Sequence, residues 1–352
     1  MDLLKYIDKT KLKKIKKESP ILFEVFSIIY GFLCYKRLEK QIGLETKIIL
    51  FSGATGDNYL QCLLLDEYIK QHEIQKYIVL AMPGAMFGLS KVFRVSDIKF
   101  ISVYKSKCIQ RAYLFMNGKG FNCILPFYWE KDFGFTYNRC QTRMLPQFNF
   151  MDTYVWFSFN IEYPIKFRIP SYEKVTYSNE FFREKIGLIP NKTVLLSPYA
   201  NSVTGLPIWF WNSIISELHE KGYKVLINSN FYNYFRAPNF FPSYETSVVC
   251  LNQCGFFLGV RSGFCDILST SNCKKVILYP EISKKIDISN HRSESEFSSL
   301  RIMGLVDEAD NNLIEITTPL IRNITDKEMN ISGTEEYFVA LEKLHKQILS
   351  NF

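Results

Sequence analysis

Lys47-Ile-Ile-Leu-Phe-Ser-Gly53-Ala-Thr-Gly56-Asp57-Asn58 is the stretch on which the fold turns. Its first residues form a short apolar run, two glycines follow, and Gln61-Cys-Leu-Leu-Leu-Asp-Glu-Tyr-Ile continues at helical spacing. That pattern predicts a strand, a glycine turn and a helix. Working outward, Tyr77–Ala81 reads as a second strand and Phe100–Tyr104 as a third, so the first half predicts successive β-α units on a parallel sheet.

The same grammar returns after residue 190. Thr193–Pro198 is a strand, a polar loop follows, and Pro207–Leu218 is a helix stopped at Glu220-Lys-Gly222. Lys224–Asn228, Phe256–Val260 and Lys275–Tyr279 supply further strands, with a helix starting at Ser262 or Gly263 between the last two. A final amphipathic helix spans about 333–349. The aromatic segment from Tyr113 to Pro170 has no clear period; it reads as the end of the first domain plus an acceptor-facing region. The expected division is a basic and apolar segment (1–45), a first α/β domain (46–175), a second (176–330) and the closing helix (331–352). At 352 residues, two cores are the natural expectation.

Composition narrows the function classes. Hydrophobic residues make up 47% against 22% charged, which is a folded chain rather than a disordered one. The net charge of +8 is uneven: Lys5, Lys9, Lys11, Lys13, Lys14, Lys16 and Lys17 face only Asp2 and Asp8. A local basic cluster suits a polyanionic surface, whereas a nucleic-acid enzyme spreads its basic residues along a groove, so nucleic acid is not an expected partner. Residues 20–34 are apolar but interrupted by Glu24 and too short to span a bilayer. Residues 1–40 are therefore a candidate contact for an anionic membrane, and a core-packed helix is the alternative reading. The nine cysteines are odd in number and show no Cys-x-x-Cys spacing, so they read as buried thiols of a cytoplasmic protein. His72, His219, His291 and His345 occur in unrelated contexts, and no Asp-x-Asp is present, so no metal is expected.

Three constellations could carry chemistry. Gly53, Gly56, Asp57 and Asn58 put a carboxylate and open backbone at a strand's carboxyl end, where open α/β sheets bind ligands. Arg261, Ser262, Gly263 and Asp266 follow another such strand. There Arg261 could pair a phosphate while the Ser262 and Gly263 amides take other oxygens; equally, Ser262 could be a plain helix cap and Arg261 half of a structural ion pair. Ser197, Asn201 and Ser202 lie in the polar loop after the 193–198 strand and could hold diphosphate oxygens or cap the helix at Pro207.

Taken together these motifs resemble the heptosyltransferase-like group of GT-B glycosyltransferases. The family's Gly-Ala-Leu-Gly-Asp turn reads Gly53-Ala-Thr-Gly-Asp57 here; Ser197-Pro-Tyr-Ala200 and Pro207-Ile-Trp209 are similar to its donor-domain opening, and Ser262-Gly-Phe-Cys-Asp266-Ile-Leu268 to its donor loop. Two departures stand out: Asp266 replaces the family's histidine, and Thr204-Gly-Leu-Pro207 lacks its lysine. Arg-Ser-Gly-x-x-Asp also resembles donor loops of fucosyltransferase-like enzymes. The resemblance implies two Rossmann-like domains facing across a cleft, with the final helix packing back on the first domain. It also implies a metal-independent, inverting transfer from a nucleotide-sugar donor to a lipid-linked or surface-polysaccharide acceptor on the inner face of the plasma membrane. Asp57 would be the base, and Arg261, Ser262 and Gly263 would stabilise the departing diphosphate. No cofactor is implied beyond the nucleotide-sugar co-substrate. A polysaccharide pyruvyltransferase, a non-catalytic scaffold and a nicotinamide-dependent oxidoreductase are the rival readings.

Overall fold

The computed structural model describes residues 16–51, 53–125, 145–172, 179–200, 205–230, 234–283, 294–322 and 335–352. Of the expected site residues, Asn201 and Ser202 lie outside these segments.

Among the described residues, a helical turn at 16–18 precedes α1 (Pro20–Ile42), whose proline occupies the first turn, where its missing N–H is not needed. Then come β1 (Lys47–Phe51), α2 (Thr55–Gln71), β2 (Tyr77–Ala81), α3 (Ala85–Val92), β3 (Ile98–Phe100), α4 (Val103–Phe115) and β4 (Cys123–Ile124). The four strands are parallel in the order β3-β2-β1-β4. Strand periodicity divides β1 between two cores. Ile48 and Leu50 pack with Tyr35, Leu80 and Ile101 on the α1 side, while Ile49 and Phe51 join the cluster on the other face. The third strand is shorter than expected and lies earlier, sharing only Phe100 with the expected Phe100–Tyr104. Ser102 accepts a hydrogen bond from the Lys105 N–H, and this cap draws Val103 and Tyr104 into α4.

Between the sheets, one helical turn (Phe150–Asp152) widens into a π-helix (Thr153–Phe159) that packs on α2. The second half runs α5 (Asn179–Ile186), β5 (Thr193–Ser197), α6 (Ile208–Glu220), β6 (Lys224–Ile227), α7 (Tyr244–Cys254) and β7 (Gly255–Val260). It continues through α8 (Gly263–Leu268), β8 (Lys274–Ser283), α9 (Glu294–Ser298), β9 (Leu313–Arg322) and α10 (Glu335–Leu349). Its five strands are also parallel, in the order β6-β5-β7-β8-β9. The sequence reading missed α7 and β9.

The expectation for the closing helix is corrected by its packing. Leu341, Leu344, Ile348 and Leu349 of α10 share a cluster with Phe210, Trp211 and Ile214 of α6, so α10 belongs to the second sheet and not to the first. The chain end is fastened there as well. Lys221 Nζ donates to Leu349 O (2.9 Å), Tyr223 Oη to Phe352 O (2.9 Å) and Lys274 Nζ to Asn351 O (2.6 Å). The reason is complementarity: the apolar stripe of α10 finds its match on the aromatic face of α6.

The eight cysteines within the described residues are all free; seven are buried and Cys34 is half-buried. Cys250 and Cys254, one turn apart on α7, have sulfurs 3.4 Å apart in the interior.

Candidate functional site

Both sheets change winding direction at one point. In the first, β1 pairs with β2 on one side and β4 on the other; in the second, β5 and β7 are neighbours, with the chain then proceeding outward to β6 or to β8. Ligands of open α/β sheets bind outside the carboxyl ends of such strands. All three sequence constellations fall there: Gly53–Asn58 after β1, Ser197 at the end of β5, and Arg261–Asp266 after β7. Ser197 is register partner to Gly259, and Asn228 Nδ2 donates to its Oγ (3.3 Å).

The two glycine turns meet. A Cβ placed on Gly263 would sit 2.7 Å from Gly56 Cα and nearer still to the Gly56 nitrogen; one on Gly56 would sit 2.6 Å from Asp266 Oδ2 and 2.9 Å from Gly263 Cα. The backbones therefore touch, and neither position has room for a side chain. This contact is the centre of a wider seam. Thr55 Oγ1 and Tyr244 Oη are 3.3 Å apart, Tyr172 Oη donates to Ile267 O (3.4 Å), and Asn149 Nδ2 donates to Ile302 O (2.9 Å). One apolar cluster runs through it, including Phe51, Tyr59 and Met86 from the first half and Leu195, Phe257 and Ile267 from the second.

Asp57 is half-buried on the first turn of α2. Its Oδ2 accepts from the Ala54 N–H (2.8 Å) and its Oδ1 from Tyr154 Oη (2.7 Å). Helix start and aromatic partner thus fix the carboxylate's orientation. Tyr154, wholly buried in the π-helical segment, is a site residue that sequence reasoning missed, since nothing local marks it among its aromatic neighbours. Such widened turns recur at functional sites. Asn58 Nδ2 donates back to Gly53 O (3.0 Å), tying the turn to the helix. One turn on, Gln61 is fully buried and neither of its amide atoms, nor Asn58 Oδ1, has a hydrogen-bond partner among the described residues. The signal for Gln61 was present in the sequence as one polar residue opening an apolar helical run.

Arg261 is 7% exposed and Asp266 1%. Arg261 Nη2 lies 2.7 Å from Asp266 Oδ1, Nη1 donates to Ser262 O (2.6 Å), and Nε donates to Ser298 O (3.1 Å). Of the two readings open in the sequence, the geometry has the ion pair; a phosphate contact from Arg261 would require these bonds to be exchanged. Ser262 stands at the cap position of α8 without a side-chain cap bond. Below it, burial pushes the Cys265 thiol up, and burial likewise raises the phenols of Tyr59, beside Asp266, and of its neighbour Tyr172, keeping both as neutral hydrogen-bonding groups. Among the described residues there is no group of three or more His, Cys, Asp or Glu side chains able to hold a metal.

The sequence matches no family model and no curated protein. The fold does have counterparts among solved structures. A glycosyl transferase family 9 structure from Veillonella parvula is 11% identical over 88% of this chain and 96% of that one, with a TM-score of 0.50. It carries the assignment: two parallel sheets with their switch points turned toward each other form the GT-B architecture. E. coli ADP-heptose LPS heptosyltransferase II is 13% identical over 87% of this chain and 99% of its own, at 0.45. The iron-containing dodecameric glycosyltransferase TibC of enterotoxigenic E. coli is 11% identical at 0.43, over 66% of this chain, which spans only 57% of TibC. Identities this low speak for the fold and not for the chemistry.

Proposed function

We propose that this protein is a glycosyltransferase that moves a sugar from a nucleotide-sugar donor to a lipid-linked or surface-polysaccharide acceptor at the cytoplasmic face of a membrane. The observation that carries the reading is the backbone contact of Gly56 with Gly263, which brings the switch points of both sheets, and the carboxylate of Asp57, to one place.

In this proposal Asp57 accepts the proton of the attacking acceptor hydroxyl, held in line by Ala54 N–H and Tyr154 Oη. The acceptor oxygen bonds to the anomeric carbon as the bond to the diphosphate breaks, and the configuration inverts. Ser197, Asn201 and Ser202, with the Ser262 and Gly263 amides, meet the departing diphosphate, with no metal in the step. Arg261 acts as a positioning residue: through Ser262 O, Ser298 O and Asp266 it holds the donor loop in shape.

A thermal-shift screen of UDP-, GDP-, ADP- and CMP-sugars tests the donor class, with phosphoenolpyruvate as a further arm for the pyruvyltransferase reading. Stabilisation by one nucleotide class is expected; no response to any of them would overturn the proposal. One observation favours a second reading, a non-catalytic glycan-binding member: the guanidinium of Arg261 and the carboxylate of Asp57 both already serve internal contacts. Nucleotide binding without transfer to any acceptor would select that reading.

A further inference from the structure

The helix α1 has two unlike faces. Phe23, Ser27, Tyr30, Gly31 and Tyr35 are buried against the first sheet and α4. At Gly31 the contact is backbone to backbone, since a Cβ there would collide with the carbonyl of Cys108. Arg111 Nε of α4 pairs with Glu24 (3.0 Å), and this ion pair together with the buried face fastens the helix to the first domain; Ser27 Oγ turns back on its own helix, donating to Phe23 O (2.7 Å).

The other face is aliphatic and open to solvent. Ile21, Leu22, Val25, Ile29 and Leu33 are between 48% and 80% exposed, and Ile21, Val25, Ile29 and Leu33 follow one another at four-residue intervals, one line along the helix. A soluble helix normally places polar residues on its outward side. The same line runs on into Lys36, Arg37 and Lys40 at one end, and Lys16 and Lys17 precede it at the other. The acids along α1 are few: Glu24 pairs with Arg111, Glu39 with Lys36 (2.6 Å), and Glu18 stands just before the helix.

We infer that α1 is a membrane-docking helix that lies along an anionic lipid surface on its Ile21–Leu33 face. Both components of that surface are matched: aliphatic side chains enter the acyl boundary, while basic side chains at both ends of the stripe reach the headgroups. The charge argues against a second copy of this chain as the occupant. Paired in either direction, two stripes would bring basic ends together. No helix among the described residues is long and apolar enough to cross a membrane, so α1 lies in the plane and does not span it. Because α1 is fixed to the first sheet, docking would also orient that sheet, and with it Asp57, relative to the lipid. The inference is independent of the reaction proposed above, although it gives a lipid-linked acceptor its route.

The test is co-sedimentation of the full chain with vesicles of phosphatidylcholine containing about one third phosphatidylglycerol, against pure phosphatidylcholine, without nucleotide or acceptor. Binding to the anionic vesicles is expected, weakened at least about tenfold on neutral ones and by raised salt. The double variant Ile29→Asp/Leu33→Asp changes only outward side chains and should bind about tenfold or more weaker with an unchanged melting temperature. Arg37→Glu/Lys40→Glu, which leaves the stripe intact, should also lose anionic-vesicle binding, and it stands as the second test should the aspartates disturb folding. The inference is overturned if the native chain ignores anionic vesicles, if the variants bind them as well as it does, or if the aspartates only convert a dimer to a monomer. Donor-induced thermal shifts on the same samples report the transferase reading separately.

Discussion

Arg261→Ala separates two roles that the sequence leaves open. The native side chain is 7% exposed and lies against Ser298 O at 3.1 Å, Ser262 O at 2.6 Å and Asp266 Oδ1 at 2.7 Å among the described residues. Truncation would leave the Asp266 carboxylate, 1% exposed, without its guanidinium. Breaking one side of a buried ion pair typically costs about 3–5 kcal/mol, because the remaining charge is stranded in a low-dielectric site. Set against total stabilities of roughly 5–15 kcal/mol, that is a large fraction, and it should lower the melting temperature of the ligand-free protein by roughly 10 °C.

A residue whose purpose is to meet phosphate behaves otherwise. Its removal would spare the ligand-free protein and weaken nucleotide binding by about 2 kcal/mol, some thirtyfold. Urea unfolding of the native and variant chains, each with and without nucleotide, distinguishes the two. In a double-mutant cycle with Asp266→Asn, the pair should couple, so that the double variant is less damaged than the sum of the singles. A ligand-free Arg261→Ala protein as stable as the native chain would refute the positioning role and return Arg261 to the phosphate.

Asp57→Asn should lower glycosyl transfer by roughly 10²–10⁴-fold while the donor-induced thermal shift persists; full turnover would remove Asp57 as the base. Tyr154→Phe removes the 2.7 Å bond to Asp57 Oδ1 and should cost about 1.5–3 kcal/mol in urea unfolding, with turnover falling while donor binding holds. Gly263→Ala places a methyl group against the Gly56 backbone and should destabilise the chain by about 1–3 kcal/mol, with faster amide exchange at residues 53–58 as the companion readout. Leu344→Ala, in the α10–α6 cluster, should lower stability by about 2–5 kcal/mol; a smaller loss would mean that α10 is loosely held.

What the sequence makes legible is what is local. An apolar run ending in two glycines needs no distant partner to be read as strand and turn, and Lys47–Phe51 leads into Thr55–Gln71 as expected. The parallel second sheet is equally legible, because Thr193–Ser197, Lys224–Ile227 and Gly255–Val260 are short apolar strands punctuated by helices. The stripe of α10 reveals that the helix is amphipathic but not which sheet it covers; that depends on Trp211 and Phe210, more than a hundred residues earlier. The sequence leaves open an ion pair for Arg261 but does not name its partner; Asp266 takes that place because it is buried, its helix lying against Gly56. Tyr154 is illegible for the same reason: its role exists only where the π-helical segment crosses α2.

The contact between the glycine turns has a mechanical consequence. Gly56 immediately precedes Asp57, and Gly263 immediately follows Ser262, so the backbone atoms that join the halves are covalently next to those assigned to base and donor loop. With no Cβ on either side, nothing compressible separates them. A ligand that reshapes the Ser262–Gly263 turn must therefore press on the first turn of α2, where Ala54 N–H and Tyr154 Oη hold Asp57 from the other side. In the proposed mechanism, donor binding and the pose of the base would be coupled by close packing, which transmits displacement because protein interiors compress so little. Size exclusion at two glycines, rather than a hinge, is what would tell the acceptor side that the donor has arrived.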